Sequence, residues 1–139
     1  MTGWGSLPDL SPDEPVDGPD GERDYELYET GRRFLAERRP AQAAMYLEQA
    51  LRTAPDKNSV RETLGRAYYA LGRYESAAQE FRELLRRAPT NDYAYFALAR
   101  CLLRLGDVAG ARRAARLAAA MAPENSDYRR ALDDCLKAN

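Results

Sequence analysis

The chain has 139 residues, enough for one ordinary domain. Its 45% apolar and 31% charged residues suit a soluble globular protein, and no apolar run approaches the ~18 residues of a membrane-crossing helix. It has no histidine, and its two cysteines, Cys101 and Cys135, lack metal or redox spacing, so acid–base catalysis and metal chemistry want for the usual groups and a reducing cytoplasm is the expected compartment. The net charge of −1 is unevenly spread. Residues 1–24 carry seven acids against Arg23, a balance of −6, while the other 115 residues carry 15 acids against 20 bases, a balance of +5.

Residues 1–23 hold four of the eight prolines and four of the nine glycines. Such a segment buries too little apolar surface to offset its ordering entropy, and we expect a disordered acidic tail there. Its start, "MTGWGSLPDLSPDEP", has no basic region followed by an apolar core, so no secretory leader is expected. From Asp24 the pattern changes. Pro55, Pro89 and Pro123 lie 34 residues apart and close the runs "LEQALRTAP", "FRELLRRAP" and "ARLAAAMAP". A fixed period of that size marks a repeat architecture, with copies at 24–57, 58–91 and 92–125. Inside each copy the apolar spacing is helical. Leu64, Ala67, Tyr68 and Leu71 fall at i, i+3, i+4 and i+7, and Ala77, Ala78, Phe81, Leu84 and Leu85 form a second stripe. Gly72 separates the two stripes as a C-terminal stop.

Each copy is therefore predicted to be a helical hairpin. "SVRE", Ser59 to Glu62, is a candidate capping box. Asn91 and Asn125 are candidate N-caps, and Pro40 suits a first helical turn. Residues 126–137 form a seventh helix, with Tyr128, Ala131, Leu132, Cys135 and Leu136 on a dry stripe and Arg129, Arg130, Asp133, Asp134 and Lys137 on the polar side. That is the form of a lid on an open stack.

These copies resemble the tetratricopeptide repeat, whose 34-residue pattern runs W-x2-L-G-x2-Y, A-x3-F, P. The middle copy matches through Leu64-Gly65, Tyr68, Ala77, Phe81 and Pro89, with Arg61 in place of the first aromatic. The first supplies Leu27, Thr30-Gly31, Phe34, Ala43, Leu47 and Pro55, and the third Tyr95, Leu98-Ala99, Leu102, Ala111, Ala115 and Pro123. The resemblance covers about 115 residues, all but the tail. It implies an all-α, right-handed superhelical stack of three hairpins with a seventh, capping helix over 24–139. First helices then line a concave groove and second helices form the outside. Gly65, Ala77 and their equivalents become close-contact points between helices.

It also implies a role: a module that binds a segment of a partner protein in the groove. The ninth residues of the copies, Arg32, Arg66 and Arg100, would stack as a ladder. Around them stand Tyr25, Tyr28 and Leu35, then Glu62 and Tyr69, then Tyr93, Phe96 and Leu103, with Arg104 at the edge. Guanidiniums among aromatic faces suit a ligand with carboxylates and apolar side chains. Equally, arginine is common on the outer helices of this chain, and Arg66 could simply pair with Glu62 at i, i+4. One subclass of the family clamps the carboxylate end of chaperone tails with Lys and Asn, Asn, then Lys and Arg. The matching places here hold Tyr28 and Arg32, Thr63, then Tyr93 and Ala97, so that clamp is not matched and the expected acidic ligand is of another kind.

Other features each carry two readings. The arginine bias, 19 Arg to two Lys, reflects either a GC-rich genome or carboxylate recognition. The tail, with Trp4, Leu7 and Leu10, is either a solubilising leader or a tethered competitor for the groove. Cys101 and Cys135 read as inert small core residues. The alanine face of "VAGARRAARLAAAMAP" is either an internal packing face or a self-association surface, which would make the chain a homo-oligomerising scaffold. An enzyme is not expected: Asp133 and Asp134 are adjacent and diverge, and no glycine loop cradles phosphate. No cofactor, metal or membrane partner is expected. A nucleic-acid-associated protein using the Arg/Tyr surface is the class alternative, opposed by a pI near 5.6 and scarce lysines.

Overall fold

Each 34-residue period closes on the same turn. In the computed structural model, which describes residues 18–139, the alanines before the three prolines (Ala54, Ala88 and Ala122) share φ between −136° and −139° and ψ between 71° and 78°. A following proline drives its predecessor out of the helical region, so the helix must stop there. The N–H groups of Lys57, Asn91 and Asn125 then donate back to Ala54, Ala88 and Ala122 at 3.0–3.1 Å. The turn inside each hairpin also recurs. Arg38, Gly72 and Gly106 take left-handed φ of 63°, 78° and 86°. The next residues, Arg39, Arg73 and Asp107, donate to Phe34, Tyr68 and Leu102 at 2.9 Å, which satisfies carbonyls that the ending helix orphans. Arg38 is the one non-glycine of the three, in a conformation that crowds a Cβ.

Among the described residues these turns delimit seven α-helices and no strand: α1 Gly18–Ala36, α2 Pro40–Thr53, α3 Asn58–Ala70, α4 Tyr74–Arg87, α5 Asp92–Arg104, α6 Val108–Met121 and α7 Ser126–Lys137. Successive helices pack against each other. In addition α1 touches α3, α3 touches α5 and α5 touches α7, whereas α2, α4 and α6 do not touch one another. Odd helices therefore crowd together on the inner, concave side, and even helices splay outward. The alanine face of α6 is consumed within the chain: Ala111, Ala114, Ala115 and Ala118 are buried, and α5 and α7 cover the helix. It is a packing face and not a free self-association surface.

Three expectations need correction. First, α1 begins at Gly18, so residues 18–23 belong to a helix and not to the tail; the remainder of the expected tail lies outside the described residues. Pro19 falls in the first turn, where its missing N–H has no intrahelical partner to lose, and the hydroxyl of Thr53 donates to Asp24, tying α1 to α2. Second, Ser59 opens no capping box. α3 starts at Asn58 with Lys57 at the N-cap and no side-chain cap, because the proline turn fixes the N-cap two residues before Ser59. Position 57 is the equivalent of Asn91 and Asn125, whose side chains do accept from Ala94 N–H at 3.0 Å and Tyr128 N–H at 3.1 Å. Third, Leu136 is exposed and leaves the dry stripe of α7, whereas Tyr128 and Cys135 are buried.

A small residue faces a large one across each of the first two hairpins. A Cβ on Gly31 would lie 2.6 Å from Leu47 Cγ, and one on Gly65 2.7 Å from Phe81 Cζ. At the same two places the third hairpin has Ala99 and Ala115, both fully buried. Full burial of a side chain such as Phe81 contributes ~1.5–3 kcal/mol, and only a missing Cβ opposite leaves it room. The middle hairpin also encloses charge. Arg61, at the place of the family's first aromatic, is buried and donates to Glu80 at 2.9 Å and to the Pro55 carbonyl at 2.8 Å, with its Nε left unpartnered. Burial raises the Glu80 carboxyl despite Arg61. At the far end, Arg112 on α6 donates to the Cys135 and Ala138 carbonyls at 3.0 and 2.8 Å, a cation on the negative end of α7. The equivalent places in the earlier hairpins hold buried Ala44 and Ala78.

Candidate functional site

The concave face opens into a cleft of about 670 Å³ bounded by α3, α5 and α7. A smaller recess of about 270 Å³ adjoins it toward α1 and adds Leu35. Arg66, Tyr69, Tyr93 and Arg100 line both. These side chains converge because Arg66 and Arg100 occupy one position of the 34-residue period, on helices that touch. Tyr69, Phe96, Leu103 and Arg104 follow on the same inner faces.

The floor is a run of aromatic rings. Phe81 meets Tyr93 edge-on at 6.3 Å, Tyr93 meets Phe96 at 5.8 Å, and Phe96 stacks on Tyr128 of α7 at 5.0 Å. Burial raises the Tyr93 phenol, opposed by the charges of Arg66 and Arg100 on either side of it. Burial and Asp92 push Tyr128 up to about 12. Over this floor stand cations. Arg100 lies 4.6 Å from the Tyr69 ring centroid and 5.5 Å from Phe96. Arg104 lies 5.9 Å from Tyr69 and donates to the Tyr74 hydroxyl at 3.1 Å. Among the described residues, neither these two nor Arg66 has a carboxylate within 4.0 Å. The same holds for Arg82, Arg113 and Arg116 on outer helices, so the lack of an ion pair does not itself mark a site. Convergence on a concave aromatic surface does.

Not every expected groove residue joins the cleft. Arg32 pairs with Glu29 at 3.1 Å, lies over Tyr28 and lines neither cavity, so the ladder contributes two of its three arginines. Tyr25 is largely exposed, and Tyr28 packs against the core. Glu62 is half-buried. Burial raises its carboxyl and the charge of Arg66 lowers it, without a close ion pair between them. α7, outside the expected groove, also lines the cleft, with Asp127, Arg130, Ala131 and Asp134. The signal was available: residues four and seven apart, Asp127, Ala131 and Asp134, share one helical face. Cys101 and Cys135 are free and buried, and burial pushes the Cys101 thiol up to about 11, well away from the reactive thiolate range.

A family profile described as the tetratricopeptide repeat matches residues 28–92 and again 62–126. The chain belongs to the tetratricopeptide repeat family. No curated protein matches the sequence. Among solved structures, the second tetratricopeptide repeat domain of human RPAP3, in complex with the HSP70 peptide SGPTIEEVD, is similar at a TM-score of 0.79 and 14% identity, over 85% of this chain and 98% of that one. The OM64 domain from Arabidopsis gives 0.80 and 17%, over 85% and 98%. The Sgt2 domain from Aspergillus fumigatus gives 0.77 and 21%, over 91% and 83%. These likenesses concern the fold. Departures of this chain from the repeat pattern include Thr30, Arg61 and the paired alanines Ala99 and Ala115 of the third hairpin.

Proposed function

We propose that this chain is an adaptor that docks a segment of a partner protein in its concave cleft, with acidic side chains of the segment meeting Arg66, Arg100 and Arg104. Tetratricopeptide repeats are protein-interaction modules, and the RPAP3 domain holds a peptide whose last residues are EEVD. What carries the acidic reading is the placement of Arg100 and Arg104 over Tyr69, in a cavity that offers them no close carboxylate among the described residues. A guanidinium already set on an aromatic face has less freedom to lose on pairing. A chaperone-tail clamp is not the model for this ligand. At the clamp positions Thr63 is buried with its hydroxyl on the Ser59 carbonyl at 2.8 Å, and Ala97 is buried too. Binding is thus the work of this surface, in a reducing cytoplasm where two buried thiols stay free.

The test is fluorescence anisotropy on the full chain with a labelled peptide rich in Glu and Asp around one Phe, beside a single-stranded oligonucleotide of equal charge. Wild type should bind the peptide, and the Arg66→Glu/Arg100→Glu variant, shown helical by circular dichroism, should lose it. Undiminished binding by that variant, or preference for the oligonucleotide, would overturn the proposal.

A further inference from the structure

Two walls of the cleft, α3 and α5, present arginines and aromatic rings, whereas the third, α7, adds the carboxylates Asp127 and Asp134. Asp127 and Arg130 on that wall pair with each other at 3.3 Å. Asp134, two turns further along, has no cationic group within 4.0 Å among the described residues, yet it lines the same cavity as Arg66, Arg100 and Arg104. It stands ~10 Å along the helix from Asp127, by the rise of 1.5 Å per residue. Its charge is felt locally, since it helps raise the neighbouring Cys135 thiol. Cations unpaired by carboxylates on one wall and an unpaired anion on the other, across an apolar floor of Tyr93 and Phe96, form a polarised surface and not a uniformly basic one.

We propose that the cleft selects a protein segment of mixed charge: an acidic residue toward Arg100 and Arg104, an apolar or aromatic side chain on the floor, and a lysine or arginine toward Asp134. This rests on the reading of the cleft as a peptide-binding site and names the ligand class more narrowly. Asp134 makes the difference. It attracts a cationic flank and repels a second carboxylate, so segments that are acidic throughout bind more weakly than mixed ones, and a repulsive group of this kind is how binding surfaces discriminate. The volume, about 670 Å³, falls in the ~300–1,000 Å³ range of ligand clefts and has room for a few side chains.

The test uses the full chain and four synthetic peptides that share a central Phe: acidic on both flanks, basic on both flanks, and acidic on one with basic on the other in each of the two orders. Affinities come from anisotropy at fixed ionic strength. For wild type, one order of the mixed peptide should bind about fivefold tighter than the all-acidic peptide, the scale of one partly screened ion pair. Asp134→Lys should reverse that ranking. The substitution is at an exposed site in the last turns of α7, where a cation favours the helix, and circular dichroism verifies the fold. Arg100→Glu should weaken both peptides. If the all-acidic peptide is preferred by wild type, or Asp134→Lys leaves the ranking unchanged, the mixed-charge inference falls while the acidic-segment reading stands. If wild type binds none of the peptides, both fall together.

Discussion

The middle and third hairpins, α3–α4 and α5–α6, occupy one geometric frame with opposite chemistry. The middle one sets Gly65 against Phe81, encloses the Arg61–Glu80 pair and fastens the Tyr68 hydroxyl to Glu48 at 2.5 Å. The third sets Ala99 against Ala115, buries Leu102 where the middle one has Tyr68, and caps both of its helices with side chains, Asn91 on α5 and Asp107 on α6. The two proline turns and the two left-handed turns are nevertheless the same. The backbone period thus fixes the turns and the ends of the helices, and leaves open which side chains fill the space between them.

Removing the large partner from the middle hairpin should have the largest effect. Phe81→Ala should lose ~3–5 kcal/mol in urea unfolding, whereas Ala115→Gly should lose only ~1 kcal/mol, mainly helix propensity. Similar losses at both sites would break the contrast. Next, Gly65→Ala pushes a methyl into the Phe81 ring and should lose ~1–3 kcal/mol. Combined with Phe81→Ala, it should cost less than the sum of the two singles, because the methyl then enters vacated space. Strict additivity would show that the two residues do not share one volume. The N-caps come third: Asn91→Ala should lose ~1 kcal/mol, and Lys57→Asn, which brings the third hairpin's cap to the middle one, should gain somewhat less than that. Smallest is the left-handed turn. Arg38→Gly should raise stability by ~0.5 kcal/mol, the relief of a crowded Cβ less the added freedom of the unfolded glycine, while Gly72→Ala should lower it. A fall in midpoint for Arg38→Gly would mean that the Arg38 side chain makes a stabilising contact.

Much of this was legible in the residues themselves. Pro55, Pro89 and Pro123 state the period, Gly72 states a turn, and Asn91 and Asn125 state two helix starts. What resisted reading depended on neighbours in space. Ser59 looks like a cap only while the phase of the proline turn is ignored. Arg32 belongs to the arginine period, but Glu29, one turn earlier, draws it aside, and no periodic argument contains that competition. Arg61 looked like a departure from pattern and proved to be a buried ion pair, because its partner Glu80 lies on the next helix. Asp134 reads as the wet side of a lid, which is true of α7 alone and incomplete once α5 stands opposite.

The matching of facing side chains within each hairpin bears on how such a chain can be recombined. Exchanging α4 for α6 would place Ala115 before Gly65 and Phe81 before Ala99, leaving one hairpin hollow and the other overfilled, although both helices are 14 residues long. Exchanging whole hairpins keeps each matched pair together. The heritable unit of this fold is therefore the hairpin, and duplications or chimeras that cut between its two helices should be the ones that fail to fold.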